Sequence, residues 1–162
     1  AVFVGLESPS AESLQAAGKT QNLRVDPQEA VRMLTRAGME VFAGFIVGFD
    51  ADGPDIFDRM VEFVRKAAIP YAMVGLLGAL PGTALWKRLH GEGRLRREGL
   101  FKDGDQFGLT NVVNRLPVQQ VIDGYRRVLE NLYAPSVYFQ RCRDNLTHWV
   151  RGRTRRRPPA LR

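Results

Sequence analysis

Three short apolar runs, each followed by a helix-starting signal, constrain this chain most. They are residues 2–6 (VFVGL), 41–49 (VFAGFIVGF) and 71–77 (YAMVGLL). Runs this short, bounded by Gly, Pro, Ser and Asp, read as strands buried on both faces. After the first, Ser8-Pro9 places a cap and a proline at the start of a helix that Gly18 ends. Asp26-Pro27 repeats the signal, and Ala30, Val31, Leu34 and Ala37 share one face up to Gly38. After the second run, Gly53-Pro54 opens a helix with the stripe Ile56, Met60, Phe63, Val64 and Ala67. After the third, Pro81-Gly82-Thr83 leads into a short helix through Trp86 and Leu89. About three βα units in sequence predict parallel strands joined by right-handed crossovers. The fold class expected is α/β, a partial parallel (β/α) barrel followed by a helical C-terminal domain.

The domain reading is 1–90 for the barrel part, 91–150 for the helical domain and 151–162 for a basic disordered tail. Residues 91–116 are rich in Gly, Arg, Asp and Asn and carry no clear period. Pro117 then starts a helix with the stripe Val118, Val121, Ile122, Tyr125, Val128, Leu129 and Leu132, and beyond Pro135 a second helix runs to about Val150. Tyr125, Tyr133 and Tyr138 are expected as core aromatics. Three βα units cannot close a barrel of eight strands, and the chain begins inside an apolar run. Both points suggest a piece of a longer polypeptide; a processed mature protein is the alternative.

Charge and cysteine narrow the partners. The formal charge is +7, but residues 151–162 hold six arginines and no acid, and the rest has 18 basic against 17 acidic residues. The basic character is a property of the tail. Such a tail is either solvated or drawn to nucleic acid or anionic lipid. No aromatic residues interleave with the arginines, so bases have no stacking platform and a nucleic-acid partner is not expected. Cys142 is the single cysteine, which excludes an internal disulfide and a cysteine-held cluster within the chain. The longest apolar run, residues 67–80, is broken by Pro70 and two glycines and falls short of the ~20 residues that span a bilayer. A cytoplasmic location, or one peripheral to the membrane, is expected.

Parallel α/β proteins bind ligands where strands end. Glu7 and Ser8 leave the first run, a carboxylate and a hydroxyl able to hold a diol or an amine; Ser8 also fits a plain helix cap. Gly44 and Gly48 flank Ile46 in the second run, which suits either a flat ligand close to the backbone or simple packing. Leu77 and Gly78 end the third, where free backbone groups could read a base edge.

Taken in order, these motifs resemble the second half of a radical S-adenosylmethionine barrel. The segment GLESPSAESLQAAGKTQN looks like the fourth strand and following loop of the cobalamin-binding branch. GFIVGFD resembles the fifth-strand motif Gly-x-Ile-x-Gly-x-x-Glu, matched at Gly44, Ile46 and Gly48. It departs at the end, where Asp50 stands one place early. The stretch from FDADGPDIFDRM to ALPGTALW, with NVV and GYRRVLENLYAPSVYFQR, is similar to the uncharacterised domain that ends many such proteins, hopanoid methylases among them.

The resemblance implies that Glu7 and Ser8 hold the ribose or methionine end of S-adenosylmethionine. Gly44, Ile46 and Gly48 would form the adenine wall, and Leu77 and Gly78 would offer backbone contacts. Lys19, Gln21 and Asn22 would face substrate or cofactor, with a solvated loop as the alternative. It implies a 4Fe-4S cluster and cobalamin whose ligands and domain lie elsewhere in the polypeptide, so no residue here is expected to be catalytic or to bind metal. Its partners would be a small-molecule or lipid-like substrate, the N-terminal half of the same polypeptide and a reductant protein. The competing readings are half of an ordinary (β/α)-barrel lyase or isomerase, and a binding module run by the arginine tail.

Overall fold

The computed structural model describes residues 1–96 and 110–153; the arginine tail from residue 154 on lies outside the described residues. Three strands, β1 (Val2–Glu7), β2 (Val41–Val47) and β3 (Tyr71–Leu76), form one parallel sheet in sequence order. Between them run α1 (Ala11–Ala16), a 3-10 turn (Thr20–Leu23), α2 (Pro27–Arg36) and α3 (Ile56–Lys66). After β3 come α4 (Ala84–Gly91), α5 (Val118–Tyr133) and α6 (Pro135–Arg153). Among the described residues this is a mixed α/β chain of three parallel strands and six helices, as the alternating runs predict.

The strand limits differ from the sequence reading. β2 ends at Val47 and β3 at Leu76, because Gly48 turns the backbone to φ 101°, where the ladder cannot continue. Ser8 is not the cap of the first helix. Ser10 is, accepting from the Ser13 N–H at 3.2 Å, while Ser8 Oγ accepts from the Ser10 N–H at 3.1 Å. Asp26 caps α2 as expected, accepting from the Glu29 N–H at 2.8 Å.

Side chains of successive strand residues point to opposite faces, and here the faces have different fates. Val41, Ala43, Phe45 and Val47 of β2 are buried, and with Ala72 and Val74 of β3 they pack on Val31, Ile56, Met60 and Val64. The opposite face carries Phe3, Phe42, Gly44, Ile46, Tyr71, Met73 and Gly75. It is not buried: Phe3 is 63% exposed and Met73 41%. The expectation of strands buried on both faces therefore holds for one face only. Phe42 and Tyr71 stack on the open face, 4.6 Å between centroids and 5° from parallel.

The free edge of β3 is covered from α5. The Tyr133 hydroxyl donates to Ala72 O at 2.6 Å and receives the Ala72 N–H at 3.2 Å, and the Tyr125 hydroxyl donates to Val74 O at 3.0 Å. Tyr125 packs against the main core as expected, while Tyr133 is exposed; the hydroxyls of both satisfy backbone groups that would otherwise invite another strand. α6 is fastened by Arg141, whose guanidinium donates to the carbonyls of Ile69, Leu132 and Pro70. One turn further on, Asn145 donates to Ala68 O at 2.9 Å. Among the described residues, no helix is long and apolar enough to cross a membrane.

Candidate functional site

A shallow groove of about 220 Å³ lies on the open face of the sheet, lined by Phe3, Gly5, Glu7, Gly44, Ile46 and Gly75 among others. The strand register produces it. Gly5 pairs with Gly44, and Ile46 pairs with Gly75, so three glycines and one branched side chain lie side by side. Their vacancies are used differently. A Cβ on Gly44 would meet the Phe3 ring at 2.8 Å, and one on Gly5 would meet the Glu7 carboxylate at 3.1 Å. A Cβ on Gly75 would meet nothing within 4 Å. Gly75, which stands in the motif that ends the third run but was not among the expected contact residues, is the bare backbone of the groove. The period-two register running through Met73 was the signal that could have found it.

Glu7 sits at the rim. It follows a register irregularity in β1 and adopts φ 66°, a left-handed conformation that costs a non-glycine residue roughly 1–3 kcal/mol. Its carboxylate lies 3.3 Å from Lys19 Nζ. Asn22 donates to the carbonyls of Gly5 and Leu6 at 2.9 and 3.1 Å. Lys19 and Asn22 thus reach the end of β1, while Gln21 is exposed on the 3-10 turn. Ser8 is buried and does not line the groove; its hydroxyl accepts from the Ser10 N–H.

Two further residues of the expected site are engaged within the chain. Gly48 does not line the groove. Its N–H donates to Asp52 Oδ2 at 2.7 Å and its carbonyl accepts from Asn114 at 2.8 Å. A Cβ there would lie 2.6 Å from Asn114 Nδ2, so glycine is required by the turn. The backbone of Leu77 is not free either. Its N–H donates to Val47 O at 2.9 Å, and its carbonyl accepts from the Thr110 hydroxyl. Gly78 is half-buried beside it.

Asp52 is a residue the sequence reading missed. Buried, it accepts from the amides of Gly48 and Phe49 with one oxygen and from the Ser13 hydroxyl at 2.5 Å with the other. Burial pushes its pKa up, against the pull of Ser13 and the two amides. The short Asp-Ala-Asp-Gly turn, where an Asp side chain can hold the amides before it, was the available signal.

Asp50 has a different place. It receives Arg94 Nη2 at 2.5 Å and Arg88 Nη1 at 2.8 Å. The hydrogen bond from Arg94, and against burial that from Arg88, holds its pKa down to about 2. A carboxylate lowered on folding adds stability above its unfolded pKa of about 3.9, and loses it as pH falls toward the folded value. Asp50→Asn should therefore lower the thermal midpoint at about pH 5. The gap to the parent protein should close as pH approaches 2; a gap independent of pH would contradict the ion-pair assignment.

The structure places the chain in a class: a parallel α/β protein with a groove on one sheet face and a helical segment stitched to the strand ends. Residues 83–161 match the model of the domain of unknown function DUF4070, the match beginning at Thr83, the cap of α4. Over 141 residues the chain is 38% identical to an uncharacterized methyltransferase of Synechocystis sp., covering 87% of this chain and 26% of that protein. It is 34% identical over 147 residues to the hopanoid C-2 methylase of Rhodopseudomonas palustris, covering 91% and 27% respectively. It is 21% identical over 150 residues to the bacteriochlorophyllide d C-12(1)-methyltransferase of Chlorobaculum tepidum, covering 91% and 32%. The chain therefore spans roughly a quarter to a third of the length of these relatives.

Proposed function

We propose that this chain supplies the adenosine-binding wall of a radical S-adenosylmethionine methyltransferase of the cobalamin-binding branch, acting on an apolar or lipid-like substrate. The observation that carries the reading is Gly75. Its backbone is bare, and it pairs with Ile46 on the open face of a parallel sheet. A flat purine can lie on such a strip, with the Ile46 side chain against it. The relatives, named as methyltransferases or a methylase, favour this over a lyase or isomerase.

The residues fit S-adenosylmethionine in part. The groove is smaller than the ~300–1,000 Å³ of a complete small-molecule site, so further walls must come from the rest of the polypeptide. Glu7, steadied by Lys19, can accept hydrogen bonds from ribose hydroxyls or meet the amine of the methionine end. Phe3, Phe42, Tyr71 and Met73 give the remainder of the face an apolar surface suited to a substrate of that kind. When bound, S-adenosylmethionine supplies the reactive carbon on its sulfonium; the chain's own contribution is to hold and orient the nucleoside.

The chain does not fit the cluster. It has one cysteine, Cys142 on α6, and among the described residues no three His, Cys, Asp or Glu side chains gather as metal ligands. The 4Fe-4S cluster, cobalamin and the contact with a reductant protein are assigned to the other part of the protein.

Gly75→Val tests the reading cleanly. The new side chain enters open space in a strand, so folding is spared, yet it fills the strip where the purine would lie. The full-length protein should bind S-adenosylmethionine at least tenfold more weakly by titration calorimetry, with an unchanged thermal midpoint. Ile46→Asp and Glu7→Ala should weaken it as well. Unchanged affinity in all three variants would overturn the assignment.

A further inference from the structure

Residues 110–115, within the DUF4070 part, run along the strand ends that border the groove. Three side chains fasten them there. The Thr110 hydroxyl donates to Leu77 O. The Asn111 carboxamide takes both backbone groups of Ala79, accepting its N–H at 2.9 Å and donating to its carbonyl at 2.8 Å. The Asn114 carboxamide donates to Gly48 O and fills the space that a side chain at position 48 would need. Between them Val112, fully buried, joins Phe49, Leu77, Ala79 and Leu89 in a small second core, and Ile46 packs against that core.

The segment is braced from behind. Leu95 and Val112 form an antiparallel bridge, with Arg96 N–H donating to Asn111 O and Val113 N–H to Arg94 O, each at 2.9 Å. Arg94 also donates to Val113 O at 3.0 Å and to Asp50. The loops after β2 and β3 therefore do not take their positions from the sheet alone. A second domain grips them by their backbones.

We infer that residues 110–115 are a positioning strap by which the DUF4070 domain sets the shape, and so the cofactor affinity, of the groove. Asn114 acts through Gly48, and Val112 backs Ile46; neither needs to touch the ligand. The inference rests on the S-adenosylmethionine reading of the groove and gives the C-terminal domain a role in that site.

The test compares two variants of the full-length protein. Asn114→Ala removes the grip on Gly48. Leu116→Ala removes a neighbouring side chain that packs against the main core and serves as a control for general destabilisation. Asn114→Ala should weaken S-adenosylmethionine binding about fivefold, the scale of one lost hydrogen bond, and speed amide exchange at residues 45–50. Leu116→Ala, at an equal or larger fall in thermal midpoint, should leave both unchanged. Equal weakening by both variants, or parent-like affinity in Asn114→Ala, would overturn the strap. If Asn114→Ala does not fold, Asn114→Ser carries the same expectations with a smaller void. A parent protein that binds no S-adenosylmethionine would instead defeat the groove assignment, and the strap's proposed role with it; parent binding with parent-like variants would defeat the strap alone.

Discussion

Replacing Arg141 by Met should cost about 2–4 kcal/mol, the range expected when buried backbone carbonyls lose a charged donor. Arg141 is 2% exposed. Its guanidinium satisfies the carbonyls of Ile69 at 2.7 Å, Leu132 at 2.8 Å and Pro70 at 3.4 Å. Leu132 lies in the last turn of α5, where carbonyls have no partner within the helix. The Tyr133 and Tyr138 rings lie 5.7 and 5.6 Å from the guanidinium carbon. Methionine fills much of the volume but offers no donor, so these carbonyls lose their partner at about 1–3 kcal/mol apiece before relaxation. Lysine should recover only part of the loss, because its ammonium cannot reproduce the planar fork. Denaturation of the full-length protein, followed by a probe in the C-terminal helices, measures this. A loss below about 1 kcal/mol would show that water replaces the guanidinium.

The second large effect is expected at Asp52. Asp52→Ala removes the acceptor for two backbone amides and one hydroxyl, all buried, and should cost about 2–4 kcal/mol on the same scale. Asp52→Asn separates hydrogen bonding from charge. An asparagine can turn its oxygen toward Gly48 and Phe49 and its amide toward Ser13, whose hydroxyl rotates to accept. Its burial also carries no ionic desolvation cost. Asparagine should therefore be close to the parent, and alanine far from it, in thermal midpoint and in amide exchange at Gly48 and Phe49. An asparagine variant as weak as alanine would mean that the negative charge itself holds the turn.

Both residues show where sequence reading stops. Arg141 stands in the stretch Phe-Gln-Arg-Cys-Arg-Asp, two places from Arg143, which is exposed. Nothing local separates them, because their difference is made by the turn between α3 and β3, some 70 residues away. Asp52 looked like part of a loop before Gly53-Pro54, and its partner Ser13 is 39 positions away in sequence. The groove is similar. Gly44 and Ile46 stood out in the sequence, yet the vacancy left open lies at Gly75, and only the register of β2 against β3 brings it beside Ile46. Gly48 stood out as well, and the structure shows its glycine serving a turn whose space Asn114 fills from 66 residues further along the chain.

What the sequence determined by itself was periodic and local: three parallel strands, the helices between and after them, and Asp26 as a cap. Each follows from side-chain spacing and backbone preference within a few residues. Tertiary structure alone decided which sheet face stays open, how the tyrosines of α5 close the edge of β3, and which polar residues reach distant backbone groups. These are contacts between segments far apart in the chain, and their energies depend on burial and distance, neither of which a linear pattern contains.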